Sequence, residues 1–135
     1  MIILDEQLLD PQLARAVALS VRGRVRHITD LGPHRVIKDD AIPALLRTVR
    51  HPIFVTPNWT DFWERTAPDA RYCILCFALP RERRLEIPLL MRRLFSLPDF
   101  RTRADRMGKV VLVSPTRIRY YQSPRGPILT VAWPK

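Results

Sequence analysis

The sequence predicts an α/β fold: a mainly parallel sheet with helices on its faces and a C-terminal β extension. Between residues 2 and 79, short apolar runs alternate with helical patterns, an order typical of right-handed βαβ units. After residue 109, apolar runs follow one another with only turns between them, which predicts strands. The 135 residues, 47% of them hydrophobic, fit a single domain spanning 1–135.

The first strands are short and apolar, and the helices between them carry end signals. Asp10-Pro11 is a typical helix start, with an N-cap aspartate and proline at the first position. Apolar residues then recur at helical spacing, and Gly23 closes this helix. Asp39 or Asp40 is expected to cap the next helix. The expected elements are strands at 2–4, 25–28 and 53–55, with helices at 11–22 and from 39 or 40 to 50.

The second half of the chain adds further helices and then turns to β structure. Apolar residues recur at helical spacing from Ile87 to Leu94, and a helical segment around 98–106 ends at Gly108. The turn Ser123-Pro124-Arg125-Gly126-Pro127 separates the last two apolar runs. The expected elements are helices at 61–65, 87–94 and 98–106, and strands at 71–79, 110–113, 117–122 and 128–133.

The charge of the chain indicates a polyanionic partner. The formal net charge is +10 and the sequence pI is about 10.9, and of the 23 lysines and arginines all except Lys38, Lys109 and Lys135 are arginine. The planar guanidinium fork of arginine matches phosphate and stacks on bases, so nucleic acid is favoured over membrane or acidic protein. An arginine-rich proteome is the alternative explanation.

The cysteines and histidines do not form a recognisable site. Cys73 and Cys76 lie on a predicted strand, where positions three apart face opposite sides, so we expect buried structural thiols rather than a metal pair. His27, His34 and His51 are scattered and adjoin no nucleophile. No signal peptide or membrane span is expected, and the chain is predicted to be cytoplasmic.

Acidic and amide side chains follow two of the predicted strands. Asp5 comes directly after the first strand, and Asn58 and Asp61 follow the third. Asp39 and Asp40 begin the helix that leads into the third strand. If the first and third strands are neighbours, these groups converge on the edge where ligands bind in parallel α/β sheets. Converging oxygens suit Mg²⁺ or Mn²⁺, which orients water and neutralises charge on phosphate.

Each of these residues also has a structural explanation. Asp39 or Asp40 is explained by helix capping alone, and Asn58 with Asp61 has the spacing of a capping box. Glu6 has the alternative of a solvated surface residue. The metal site is therefore predicted from the set of residues rather than from any single one.

Five short motifs together resemble the PIN-like nuclease family, and in particular its short bacterial branch, which often occurs as toxins of toxin–antitoxin pairs. The motifs cover about residues 2 to 65 and are Ile3-Leu4-Asp5-Glu6, Leu31-Gly32, Asp39-Asp40-Ala41-Ile42, Val55-Thr56-Pro57-Asn58 and Asp61-Phe62. The resemblance implies a Rossmann-like three-layer α/β/α sheet and cleavage of single-stranded or structured RNA with Mg²⁺ or Mn²⁺. A small antitoxin protein and a homodimer are the further partners that it implies, with no membrane partner.

The resemblance also assigns roles to the acidic residues. Asp5, Asp40 and Asp61 are the expected catalytic residues and, with Asn58, the expected metal ligands. The expected supporting residues are Glu6, Asp39 and Thr56, while the residues that bind nucleic acid remain unassigned.

The chain departs from the family pattern near the third strand. The family usually has aspartate where this chain has Asn58, and one extra residue separates Asn58 from Asp61. A catalytically degenerate PIN-like domain that binds RNA or a partner protein without cleavage is therefore the alternative hypothesis.

Overall fold

A computed structural model describes residues 1–32, 37–123 and 126–134. They form a mixed seven-stranded sheet with the strand order β2-β1-β3-β4-β5-β6-β7. The strands are β1 (Ile2–Leu4), β2 (Val25–His27), β3 (Ile53–Thr56), β4 (Cys73–Phe77), β5 (Val110–Val113), β6 (Ile118–Tyr121) and β7 (Leu129–Val131). The helices are α1 (Pro11–Val21), α2 (Ile42–Leu46), α3 (Trp59–Phe62), α4 (Ile87–Leu94) and α5 (Arg103–Arg106). The predicted α/β fold with a C-terminal β extension is confirmed.

The first five strands pair in parallel, and the last two pairings are antiparallel. β1 lies between β2 and β3, with Leu4 opposite both His27 and Val55. The chain thus leaves β1 on one side to form β2 and returns on the other side to form β3. The strand order reverses at this point, and ligands of open α/β sheets bind beside the carboxyl ends of the strands there.

Helices cover both faces of the sheet. On one face, Ile2 and Leu4 pack with the apolar sides of α1 and α4. On the other face, Ile3 and Phe54 pack with α2, α3 and the segment around Tyr72. Successive strand residues point to opposite faces, so the all-apolar strands bury side chains on both sides.

Several element ends differ from the sequence predictions. α1 ends at Val21, and the residue that closes it is Arg22, in the left-handed conformation (φ 52°), rather than the expected Gly23. The predicted helix over 98–106 is a 3₁₀ turn, Pro98–Phe100, followed by the separate helix α5, which has its own capping box from Thr102. α3 begins at Trp59, earlier than the predicted residue 61. Pro33, His34 and the middle of the predicted turn at 123–127 lie outside the described residues.

The prediction for the cysteines is confirmed. Cys73 and Cys76 are free, fully buried and packed on opposite faces of the sheet. Burial raises the pKa of the Cys73 thiol to about 12 and that of Cys76 further still, so neither is a thiolate near neutral pH. Among the helices of the described ranges, none has the length and apolar character needed to cross a membrane.

Candidate active site at the carboxyl edge of the sheet

Asp5 is a buried carboxylate at the end of β1. Its backbone N–H donates to the carbonyl of Val55 at 2.9 Å, which continues the β1–β3 pairing, and its side chain is only 3% exposed. The hydroxyl of Thr56 donates to Oδ2 of Asp5 at 2.5 Å. Burial raises the pKa of Asp5, against the opposing effects of the Thr56 hydrogen bond, the backbone of Gln7 and the charge of Arg84.

Thr56 connects the ends of the two central strands. It is the last residue of β3 and is fully buried. While its hydroxyl donates to Asp5, its oxygen accepts a hydrogen bond from the backbone N–H of Asn58 at 3.0 Å. Thr56 therefore orients Asp5 and fixes the start of the loop that leads to Asn58. The sequence suggested a supporting role for Thr56 but not this direct contact.

Asn58 and Asp61 bind each other instead of capping α3. Asn58 occupies the N-cap position of α3, yet its side chain makes no capping hydrogen bond. Its Nδ2 donates to Oδ2 of Asp61 at 2.8 Å, and its Oδ1 accepts from the hydroxyl of Thr60 at 3.3 Å. The capping-box alternative is therefore wrong for this pair, and the amide orients the carboxylate of Asp61.

Asp39 faces the other acids. It lies with Asp40 in a 3₁₀ turn, Asp39–Ala41, whose N-cap position is held by Lys38, so the prediction that either aspartate caps a helix is wrong. Although Asp39 is at the surface, partial desolvation raises its pKa, and the neighbouring carboxylates of Asp61, Asp5 and Glu6 raise it further. The structure thus groups Asp39 with Asp5, Glu6 and Asp61.

Asp40 is exposed and lines an open cleft at this edge of the sheet. This open cleft has a volume of about 490 Å³. Its lining residues are Asp39, Asp40, Pro43, Arg47, Asp61, Phe62, Arg65, Thr66, Ala67 and Tyr72. Asp39, Asp40 and Asp61, three of the predicted site residues, therefore line one cleft, and Asp5 lies behind them at the end of β1.

The oxygen-rich side chains at this edge fit a hard divalent cation chemically. In the described part of the chain, no three His, Cys, Asp or Glu side chains are arranged as a ready-made metal cage. Mg²⁺ is commonly held by only one or two carboxylates while it keeps several water ligands. Asp61 is near enough to Asp39 to raise the pKa of Asp39, and a cation beside the two carboxylates would relieve the repulsion between them.

Of the arginines near the acids, only Arg84 stands out in the sequence, in the basic run Arg81-Glu82-Arg83-Arg84, which either contacts phosphate or forms a solvated helix face. Arg47 and Arg65 line the cleft, and Arg84, on the 3₁₀ segment Arg81–Glu86 after β4, is near enough to lower the pKa of Asp5. The chain is rich in arginine throughout, so local sequence carries no signal that separates Arg47 and Arg65 from the others. Neither His27 nor His51 lines the cleft.

Comparison of the chain with protein-family models, with curated proteins and with solved structures gives no match.

Proposed function

We propose that this chain is a Mg²⁺- or Mn²⁺-dependent endoribonuclease of the PIN-like class. The observation that carries the proposal is the grouping of Asp5, Asp39 and Asp61 beside the β1/β3 switch point of a chain with net charge +10. A basic protein attracts a polyanion, and acids that form no salt bridge among the described residues provide a place, at the ligand-binding edge, for the cation that phosphate chemistry needs.

The side chains divide the work according to their positions. Asp39 and Asp61, at the surface of the cleft, would hold the metal, with Asp40 beside them. Asp5 would act from below, held by the hydroxyl of Thr56. The bound cation would neutralise charge on the scissile phosphate and lower the pKa of an attacking water. Asn58 keeps Asp61 in place by donating from Nδ2 to Oδ2 of Asp61. The amide does not bind Oδ1 of Asp61, which would be the oxygen that faces the metal.

The experiment that tests this proposal is cleavage of an end-labelled single-stranded RNA with Mn²⁺, Mg²⁺ or EDTA. We expect cleavage with either metal, none with EDTA, and none by Asp5→Asn, whose fold is checked by circular dichroism. Cleavage that persists in EDTA, or that Asp5→Asn retains in full, would exclude the assignment.

A second candidate function is RNA binding without cleavage by a degenerate PIN-like domain. It is favoured by Asn58, because an amide replaces the family's usual carboxylate and occupies one oxygen of Asp61. This function predicts RNA affinity that falls with salt and no cleavage with any divalent metal. In that case Asn58→Asp, which restores the missing charge, is expected to create or strongly raise metal-dependent cleavage.

A further inference from the structure

Arginine side chains lie on both sides of the acids. Arg47 and Arg65 line the cleft beside Asp39 and Asp61, on the sheet face covered by α2 and α3. Arg84 follows β4 and precedes α4, which covers the opposite face, and its charge acts on Asp5. A chain of phosphates that crosses the carboxyl edge of the sheet would therefore meet arginine before and after the acids.

These arginines have donors to spare. In the described ranges, the guanidinium of Arg65 makes no hydrogen bond or ion pair, and that of Arg47 has a single contact, 3.9 Å from Asp69. The two terminal nitrogens of Arg84 reach Gln7 only at 3.4 and 3.5 Å, and its buried Nε has no partner among the described residues. The contacts to Gln7 are long and weak, so the terminal nitrogens of Arg84, rather than its buried Nε, are the donors suited to an acceptor supplied by a ligand.

The backbone before Arg65 is held in an unusual conformation. Glu64 has a φ of 62°, the left-handed region that non-glycine residues seldom adopt. Arg65 begins the Arg65–Ala67 segment, which forms one wall of the cleft. The conformation of Glu64 thus sets the direction in which this wall leaves α3.

An exposed tryptophan directly follows one of the predicted site residues in the chain. Trp59 is 41% exposed, whereas Trp63 in the same region is buried at 6%. Trp59 directly follows Asn58 in the chain, so its Cα lies about 3.8 Å from that of a predicted metal ligand. Exposed aromatic rings beside a basic groove are the platforms on which single-stranded bases stack.

We propose, on the basis of the proposed function, that single-stranded RNA crosses the carboxyl edge of the sheet, with Arg84 on one side of its path and both Arg47 and Arg65 on the other. Phosphates bind the arginines on either side of the acids, and a base near the scissile bond stacks on Trp59. This arrangement assigns substrate-positioning residues and favours an unpaired strand, because a base in a duplex cannot present its face to an indole.

Binding can be measured without turnover in the Asp5→Asn protein. This background also removes the charge interaction between Asp5 and Arg84, so an effect of Arg84→Ala on affinity is not routed through Asp5. The probe is a fluorescein-labelled single-stranded RNA of mixed sequence, titrated at several salt concentrations. The matched control is Arg24→Ala, since Arg24 is an exposed arginine just before β2, at the opposite edge of the sheet.

We expect Arg65→Ala and Arg84→Ala each to weaken binding and to reduce the slope of log affinity against log salt by about 0.7, the loss of one phosphate contact. Arg24→Ala should leave the slope unchanged. Trp59→Ala should weaken binding about tenfold, while Trp59→Phe, which keeps an aromatic face, should retain most of the affinity.

The outcomes separate this path from the proposed enzyme. The edge variants are Arg65→Ala and Arg84→Ala. The proposed RNA path would be overturned if Arg24→Ala weakened RNA binding as much as these variants, or if Trp59→Ala bound RNA with undiminished affinity. If the unmodified chain cleaves RNA while the edge variants bind like the control, the path is wrong and the ribonuclease proposal stands. Selective loss in the edge variants without cleavage by the unmodified chain would keep the path and remove the enzyme.

Discussion

Carboxylates in this chain have two contrasting kinds of environment. At the carboxyl edge of the sheet, desolvation raises the pKa of Asp5 and of Asp39, and neighbouring acids add to the effect at Asp39. Near the amino ends of the strands, hydrogen bonds from Arg71 lower the pKa of Asp69, and hydrogen bonds from Thr102 lower that of Asp105.

The difference indicates which acids stabilise the fold and which do not. Asp69 is held by Nε and a terminal nitrogen of Arg71 at 3.0 and 2.9 Å. Salt bridges within the described residues include neither Asp5 nor Asp39, although the chain has a large excess of arginine. Acids whose charge the fold disfavours, gathered at a ligand-binding edge, are typical of functional sites.

The largest effect should come from neutralising an edge acid. Asp61→Asn is expected to lower metal-dependent RNA cleavage about 100-fold or more, because a metal site is worth several kcal/mol of transition-state stabilisation. Asp105→Asn is the control at the other edge and should stay within about twofold of the unmodified chain. Initial rates on one labelled RNA at saturating Mn²⁺ measure both. Similar losses in the two variants would remove the distinction between the edges.

A smaller effect is expected from the residue that orients Asp5. Thr56→Val keeps the shape of the buried side chain but removes the donor to Asp5 and the acceptor for Asn58. Partners that orient metal ligands are typically worth 10–100-fold in activity or metal affinity, so we expect a loss of about tenfold. Thr56→Ser keeps the hydroxyl and should recover most of the rate. A valine variant with full activity would show that Thr56 only fills space.

The parts of the site that sequence predicted are those tied to strand ends. Asp5, Asn58 and Asp61 could be placed because short apolar runs identify strands, and parallel strands bring their carboxyl ends to one edge. Asp40 was the expected metal ligand, and its neighbour Asp39 was expected only to support it. Capping rules place one of them just before the helix, whereas both lie in a 3₁₀ turn, and Asp39 is the one whose pKa the other acids raise.

The remaining differences concern features that local sequence rules do not predict. The left-handed residue after α1 is Arg22, although Gly23 stands one position later and has no steric penalty there. Helical spacing alone did not show that the 98–106 segment divides, because the break depends on a buried ring, Phe100, and on the Thr102 cap. Local sequence gives no signal for Arg65, and it explains the basic run that contains Arg84 equally well as a solvated helix face, because the role of both arginines depends on tertiary position.

The smallest effect is on stability, and it should have opposite signs at the two edges. At pH 7 in EDTA, Asp5→Asn removes a charge that folding disfavours, so its midpoint of thermal unfolding should equal or exceed that of the unmodified chain. The difference in unfolding midpoint between Asp5→Asn and the unmodified chain should shrink as the pH falls through the raised pKa of folded Asp5. Asp5 of the unmodified chain is then protonated and no longer carries the buried charge.

Asp105→Asn should behave in the reverse way. The pKa of Asp105 is lowered on folding, so its contribution is present above its unfolded value of about 3.9 and is lost as the pH falls further. At pH 7 we expect Asp105→Asn to have a slightly lower unfolding midpoint than the unmodified chain. This difference should disappear as the pH falls through the lowered pKa of folded Asp105. Thermal melts by circular dichroism across pH 3 to 7 measure both variants; a clear loss of stability in Asp5→Asn at pH 7 would contradict the contrast.

The most direct test of the central claim is whether Mn²⁺ stabilises the protein through the edge acids. A cation that binds only the folded chain stabilises it by about 2.7 kcal/mol at 100 times its Kd, which is readily seen as a rise in the unfolding midpoint. We predict this rise for the unmodified chain and for Asp105→Asn, and its loss in the Asp39→Asn/Asp61→Asn double variant. An equal rise in all three proteins, or none in the unmodified chain, would contradict a metal site at the carboxyl edge of the sheet.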